Sequence, residues 1–115
     1  MKRTLNAHGR VWLTLNGKNF IGRGRAELLR QITQTGSISK AAGAMKMSYK
    51  AAWDAVDAMN AAYGEALVES ASGGSRGGGS RVTPVGSQVL AQFDALQQQH
   101  QSWLEKLSSK LHAIG

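Results

Sequence analysis

Ser48, Tyr49 and Lys50 follow one another at the head of an apolar-periodic segment, and Trp53 lies one helical turn beyond them. A run of hydroxyl, phenol and ammonium groups suits a helix end that hydrogen-bonds a nucleic acid. Lysine approaches guanine O6/N7 or a phosphate, and serine and tyrosine reach phosphates or base edges. Trp53 has two readings, contact with a thymine methyl or sugar wall and partial burial, and packing is the commoner fate of tryptophan. Further along, residues 73–79 read Gly-Gly-Ser-Arg-Gly-Gly-Gly, with Arg76 inside the tract and Arg81 just after it. Glycines there let the backbone come close to a sugar-phosphate wall, from which either arginine reaches phosphate or the minor groove. The bland alternative is a flexible linker carrying solvated charges. Asp54 and Asp57 would repel phosphate, so they are expected to face solvent or to pair with basic neighbours.

Other chemistries find little support. Gly22-Arg23-Gly24 lacks the third glycine of a dinucleotide loop, and no glycine precedes a Lys-Ser or Lys-Thr pair as a P-loop requires. Without cysteine, thiolate metal sites and disulfides are excluded. His8, His100 and His112 are far apart, and no nucleophile, base and orienting group stand together. No enzyme activity, cofactor or metal is expected. The formal net charge is +7, from 14 basic and 7 acidic residues, which favours a polyanionic partner. Charge alone does not separate DNA from RNA or anionic lipid. The excess is concentrated at the start, where Lys2, Arg3, Arg10, Lys18, Arg23, Arg25 and Arg30 face only Glu27 over the first 35 residues. No apolar stretch reads as a leader or a membrane span, so a cytoplasmic location and no membrane partner are expected.

Positioning these groups falls to a short series of elements, within a length of 115 residues that suits one domain. Asn16-Gly17 is a turn signal between Val11–Leu15 and Asn19–Ile21, which reads as a short hairpin. Ala26, Leu28, Leu29 and Ile32 recur at helical spacing before Gly36, giving a helix over about 24–35. Ser37 caps a second, short helix over 38–45, and Ser48 a third over 48–63 that Gly64 stops. Ser37 and Ser39, at the start of the short helix, join Ser48, Tyr49, Lys50, Trp53, Arg76 and Arg81 in the expected DNA-binding set. Residues 67–83 form a glycine-tipped hairpin, and Thr83-Pro84 opens a last helix running to about residue 112.

The order of elements is that of a winged helix-turn-helix, a mainly α (α+β) fold occupying residues 1–83. A turn of about three residues would hold the third helix across the second, with its leading end free to enter a major groove. The helix over 84–112, about 42 Å long at 1.5 Å per residue, exceeds what so small a domain needs. Its residues Val89, Phe93, Leu96, His100, Trp103, Leu107 and Leu111 fall three or four apart, as in the seam of a two-helix interface. Double-stranded DNA and a second copy of the chain are the expected partners, with a partner protein or small molecule as further candidates for regulation. A protein-interaction module using the glutamine-rich stretch Gln97–Gln101, and a non-specific architectural binder, are the alternatives.

The segment SISKAAGAMKMSYKAAWDAVDAMN, Ser37 to Asn60, resembles the N-terminal domain of molybdate-responsive ModE-type regulators, relatives of the LysR-type winged helix. The likeness continues through LVES at Leu67–Ser70, the GGSRGGG tract and RVTPVG at Arg81–Gly86. It implies a homodimer whose recognition helices meet successive major grooves of a partly palindromic operator, with the last helix and the N-terminal segment contributing to dimerisation. Ser48, Tyr49, Lys50 and Arg76 are the matching DNA-contact positions. Two departures stand out. Family members continue into small β-barrels that bind molybdate or tungstate, whereas this sequence stops at Gly115, so no oxyanion-binding domain is expected. Lys46 also stands where such turns usually carry glycine, at a position that often needs a positive φ, for a cost of about 1 kcal/mol.

Overall fold

The computed structural model describes residues 2–71 and 79–114. Two strands, β1 (Leu13–Leu15) and β2 (Lys18–Ile21), pair antiparallel. Asn16 and Gly17 join them with φ of 52° and 83°, the left-handed values that a two-residue hairpin turn demands. The expected hairpin is present, with a first strand shorter than Val11–Leu15. Trp12 lies just before it, half exposed, and its indole N–H donates to Asn19 Oδ1 at 3.1 Å.

Three helices follow, α1 (Arg23–Thr35), α2 (Ile38–Ala44) and α3 (Tyr49–Tyr63). Each boundary has a local cause. Gly36 and Gly64 take left-handed φ of 69° and 81° and close α1 and α3. Ser37 Oγ accepts from the Lys40 N–H, and Ser48 Oγ from the Ala51 N–H, so each serine satisfies a backbone donor that the helix start leaves unpaired. Leu28, Leu29 and Ile32 of α1 are buried against Ala41 and Ala42 of α2 and Ala52, Val56 and Met59 of α3. The alanines let these short helices approach closely, while Phe20 and Ile21 bring the hairpin onto the same core.

Strands β3 (Val68–Ala71) and β4 (Gly79–Val82) form the wing, in the register Val68↔Val82, Glu69↔Arg81, Ser70↔Ser80 and Ala71↔Gly79. Two tethers fix it. The Ser80 N–H donates to the Gly36 carbonyl at 2.9 Å. Asn60 Oδ1 accepts from the Leu67 N–H at 2.8 Å while its Nδ2 donates to the Val68 carbonyl at 3.0 Å, joining α3 to the base of the wing. The tip, with Arg76, lies outside the described residues.

Helix α4 (Pro84–Lys110) is capped by Thr83, whose Oγ1 accepts from the Gly86 N–H at 3.0 Å and donates to the Ala66 carbonyl at 2.7 Å. It ends two residues short of 112, where Leu111 turns extended. The N-terminal residues have no regular structure and lie back along its far end, with the Ala7 N–H donating to Ser108 Oγ at 2.8 Å.

The structure corrects the apolar seam read along α4. Val89 and Phe93 are buried within their own chain's core, and Phe93 is 1% exposed, so neither is available to a partner helix. Half-buried His100 faces Gly9 of the N-terminal segment, and buried Leu104, which the spacing had passed over, lies toward that segment as well. The alternation of three and four residues marks two faces at once: an inward face that meets the core, and Leu96, Trp103, Leu107 and Leu111, which keep exposed area. Beyond the core contact, Arg30 of α1 donates to Asp94 of α4 at 2.7 Å and also pairs with Glu27. Hydrogen bonds from Gln31 and then Arg30 hold the Glu27 carboxyl below its usual range.

Candidate nucleic-acid interface

Helix α3 buries Ala52, Val56 and Met59. On the far side, roughly 130–195° around the helix from the centre of that buried face at about 100° per residue, the outward face carries Lys50, Asp54 and Asp57, all exposed. Tyr49, 54% exposed, stands at the leading end with its ring edge-on to Trp53, the centroids 6.1 Å apart. Trp53 itself is half-buried. It packs against the core and borders a cleft of about 230 Å³ between α3 and the wing, lined also by Ile38, Asn60, Val68 and Ser70. Packing therefore accounts for most of its surface.

The turn that presents α3 runs from Met45 to Met47, with Lys46 at φ 56°. The Lys46 N–H donates to the Gly43 carbonyl and the Met47 N–H to the Ala42 carbonyl, which wraps the turn tightly on the end of α2. The left-handed conformation expected at this glycine position is present, and lysine bears its steric cost. Lys46→Gly is expected to raise stability by about 0.5–1 kcal/mol, the relief exceeding the extra entropy of an unfolded glycine. Urea denaturation measures it, and a fall in the midpoint would mean that the lysine side chain contributes more than its backbone costs.

Ser48 and Ser37 both spend an acceptor lone pair on helix capping, and the hydroxyl hydrogen of each is left to donate outward. Ser39 is exposed on α2, beside Lys40. Both cations of the described DNA-binding set are already paired. Lys50 Nζ donates to Asp54 Oδ2 at 2.9 Å, one turn along α3. This hydrogen bond raises the lysine pKa above its ordinary value. Arg81 pairs at 2.8 Å with Glu69, its cross-strand neighbour in the wing. The expectation that Asp54 would pair with a basic neighbour is met by Lys50, and Asp57 faces solvent.

Two features of this surface escaped the sequence. Asn60 read only as the last residue of a helical motif, yet its amide sets the wing against α3. Glu69 drew no notice because its partner lies twelve residues away, across a hairpin whose register is not legible residue by residue. Exposed Lys46, in the turn just before α3, and exposed Lys40, in the first turn of α2, add positive charge that the outward face of α3 itself lacks. No group of three His, Asp or Glu side chains with metal-binding geometry occurs among the described residues, and none of the described helices is long and apolar enough to cross a membrane.

A three-helix unit, a tight turn between its second and third helices and a β-hairpin beside the third define a winged helix-turn-helix. Residues 24–87 match the family model of the bacterial regulatory helix-turn-helix proteins of the lysR family, and the chain belongs to that family, one of DNA-binding transcription regulators and not of enzymes. Among its relatives, "Molybdenum transport protein ModE" of Azotobacter vinelandii is 43% identical over 90 residues, which are 78% of this chain and 33% of that protein. "DNA-binding transcriptional dual regulator ModE" of Escherichia coli K12 is 41% identical over 96 residues, 84% of this chain and 37% of the relative. "Molybdenum-pterin-binding protein MopB" of Rhodobacter capsulatus is 46% identical over 77 residues, 67% and 28% of the two lengths. The chain thus spans 28–37% of the length of these curated relatives. The likeness to ModE-type DNA-binding regions expected from Ser37–Asn60 is borne out.

Proposed function

We infer that this chain is a sequence-specific, DNA-binding transcription regulator of the cytoplasm that acts as a homodimer on operators of molybdenum-related genes. The observation that carries this reading is the leading end of α3, where Ser48, Tyr49 and Lys50 stand exposed on a helix that α2 and a tight turn hold across the domain. Such an end enters a major groove, and Arg81 of the wing reaches the flanking backbone. The homodimer is supported by α4, where Leu96, Trp103 and Leu107, with Leu111 just past its end, keep apolar area that the domain's own core does not cover. Trp103 is 56% exposed, an expensive residue to leave in water. The relatives' names support molybdenum-related targets.

The test is selection of bound duplexes from a random pool at physiological salt, where non-specific binding is suppressed. The expected result is an enriched inverted repeat with half-sites about one helical turn apart, or a multiple of it, matching sequences upstream of genes for molybdenum uptake or use. An enriched single half-site would remove the homodimer, repeats mapping to unrelated genes would remove the molybdenum link, and no enrichment by folded protein would remove sequence-specific binding.

A further inference from the structure

The chain as a whole is strongly basic, but the outward face of its recognition helix is not. Lys50 is the one cation there, against Asp54 and Asp57. The wing repeats the pattern, with Arg81 opposite Glu69 in the strand register. Both cations are engaged, at 2.9 and 2.8 Å, by carboxylates on the same DNA-facing elements. We propose that Asp54 and Glu69 are specificity residues: built-in competitors for phosphate that hold Lys50 and Arg81 and release them fully only on a cognate operator. This rests on the DNA-binding reading above and adds to it a means of rejecting other sequences.

The physical argument compares two complexes. On arbitrary DNA, binding comes almost wholly from cations neutralising phosphates and releasing counterions. A lysine already neutralised by Asp54 gains only the difference between two anionic partners, and its approach drags a carboxylate toward the phosphates. At base edges the same pair is an asset. Lysine donates to guanine O6/N7 while a carboxylate accepts from a cytosine amino group, so both members are satisfied together in the major groove. In the wing, Glu69 limits Arg81 in the same way until the docked recognition helix fixes the backbone in register beside it. The remaining positive charge, on Lys40, Lys46 and the basic N-terminal third, still draws the domain to DNA. Exposed ion pairs of this kind add little to stability, which leaves their placement free to serve recognition.

The experiment measures binding of the whole chain, wild type and the variants Asp54→Asn, Glu69→Gln and Lys50→Ala/Asp54→Asn, to a random-sequence duplex and to the selected operator over a range of salt. Asp54→Asn and Glu69→Gln are each expected to tighten random-duplex binding about fivefold. Each should also steepen the salt dependence by up to about 0.9 in log–log slope for the cation released. The operator-to-random ratio falls accordingly. In the double variant the steepening at Asp54 is lost, because no lysine is left to release. These sites are exposed and the amides nearly isosteric, so unchanged thermal midpoints confirm intact folds. Unchanged random-duplex affinity and slope, in a protein whose wild type selects an operator, would overturn the competitor role alone. A wild type that binds no duplex would overturn the DNA-binding reading and this one with it.

Discussion

Gly86→Ala is expected to destabilise the domain by roughly 3 kcal/mol, lowering the thermal midpoint by on the order of 10–20 °C. Gly86 is buried in the first turn of α4, where a Cβ would overlap the Leu67 carbonyl oxygen and come within 2.7 Å of Val82 Cγ1. Neither side can retreat cheaply. The helix start is tied down by Thr83, whose N–H donates to the Leu67 carbonyl at 2.9 Å and whose hydroxyl bridges the Ala66 carbonyl and the Gly86 N–H. Leu67 is tied from the other side by the Asn60 amide. A methyl group therefore has to part α4 from the base of the wing or break a cap, and loss of such a cap alone costs about 1 kcal/mol. Calorimetry of the variant checks this, and a wild-type midpoint would mean that the helix and strand are not in this close contact. Because the wing base shares these tethers, DNA affinity should fall together with stability.

Gly86 also shows where the sequence is legible and where it stops. Thr83-Pro84 announces a helix start because capping is chemistry between near neighbours, and Ser37, Ser48, Gly36 and Gly64 are readable for the same reason. Each boundary of α1 to α3 falls within a residue or so of expectation. The left-handed φ at Lys46 was legible from its place in the turn, since the motif's geometry dictates the backbone whatever side chain occupies it. What Gly86 touches was not legible, because the Leu67 carbonyl comes from another element, and neither was the Asn60 bridge or the pairing of Glu69 with Arg81. The apolar residues of α4 were correctly found at three- and four-residue spacing, but periodicity reports that a face is covered without reporting by what. Val89 and Phe93 are covered by the chain itself, and His100 meets the N-terminal segment, whose irregular backbone carries no periodic signal.

That distinction makes Phe93→Ala the most informative single truncation, with an expected loss of about 3–5 kcal/mol. Phe93 is 1% exposed, part of a core shared with Leu28, Leu29 and Ile32 of α1, and removing its ring leaves a cavity that these packed helices cannot close. Next to it the Arg30–Asp94 pair, at 2.7 Å and partly open to solvent, orients the two helices without replacing the lost contacts. The loss should be independent of protein concentration, since the contact lies within one chain. A truncation in an interface between copies would instead give an unfolding midpoint that rises with concentration, by mass action. Leu96→Ala, at a position 36% exposed and only three residues on, should leave the domain's own stability nearly intact and make any association of copies weaker. A concentration-dependent deficit in Phe93→Ala would return that residue to the seam. The expected opposite behaviour of the two variants divides α4 near Asp94, with the stretch before it serving the domain core and the stretch after it carrying the apolar surface offered to a second copy.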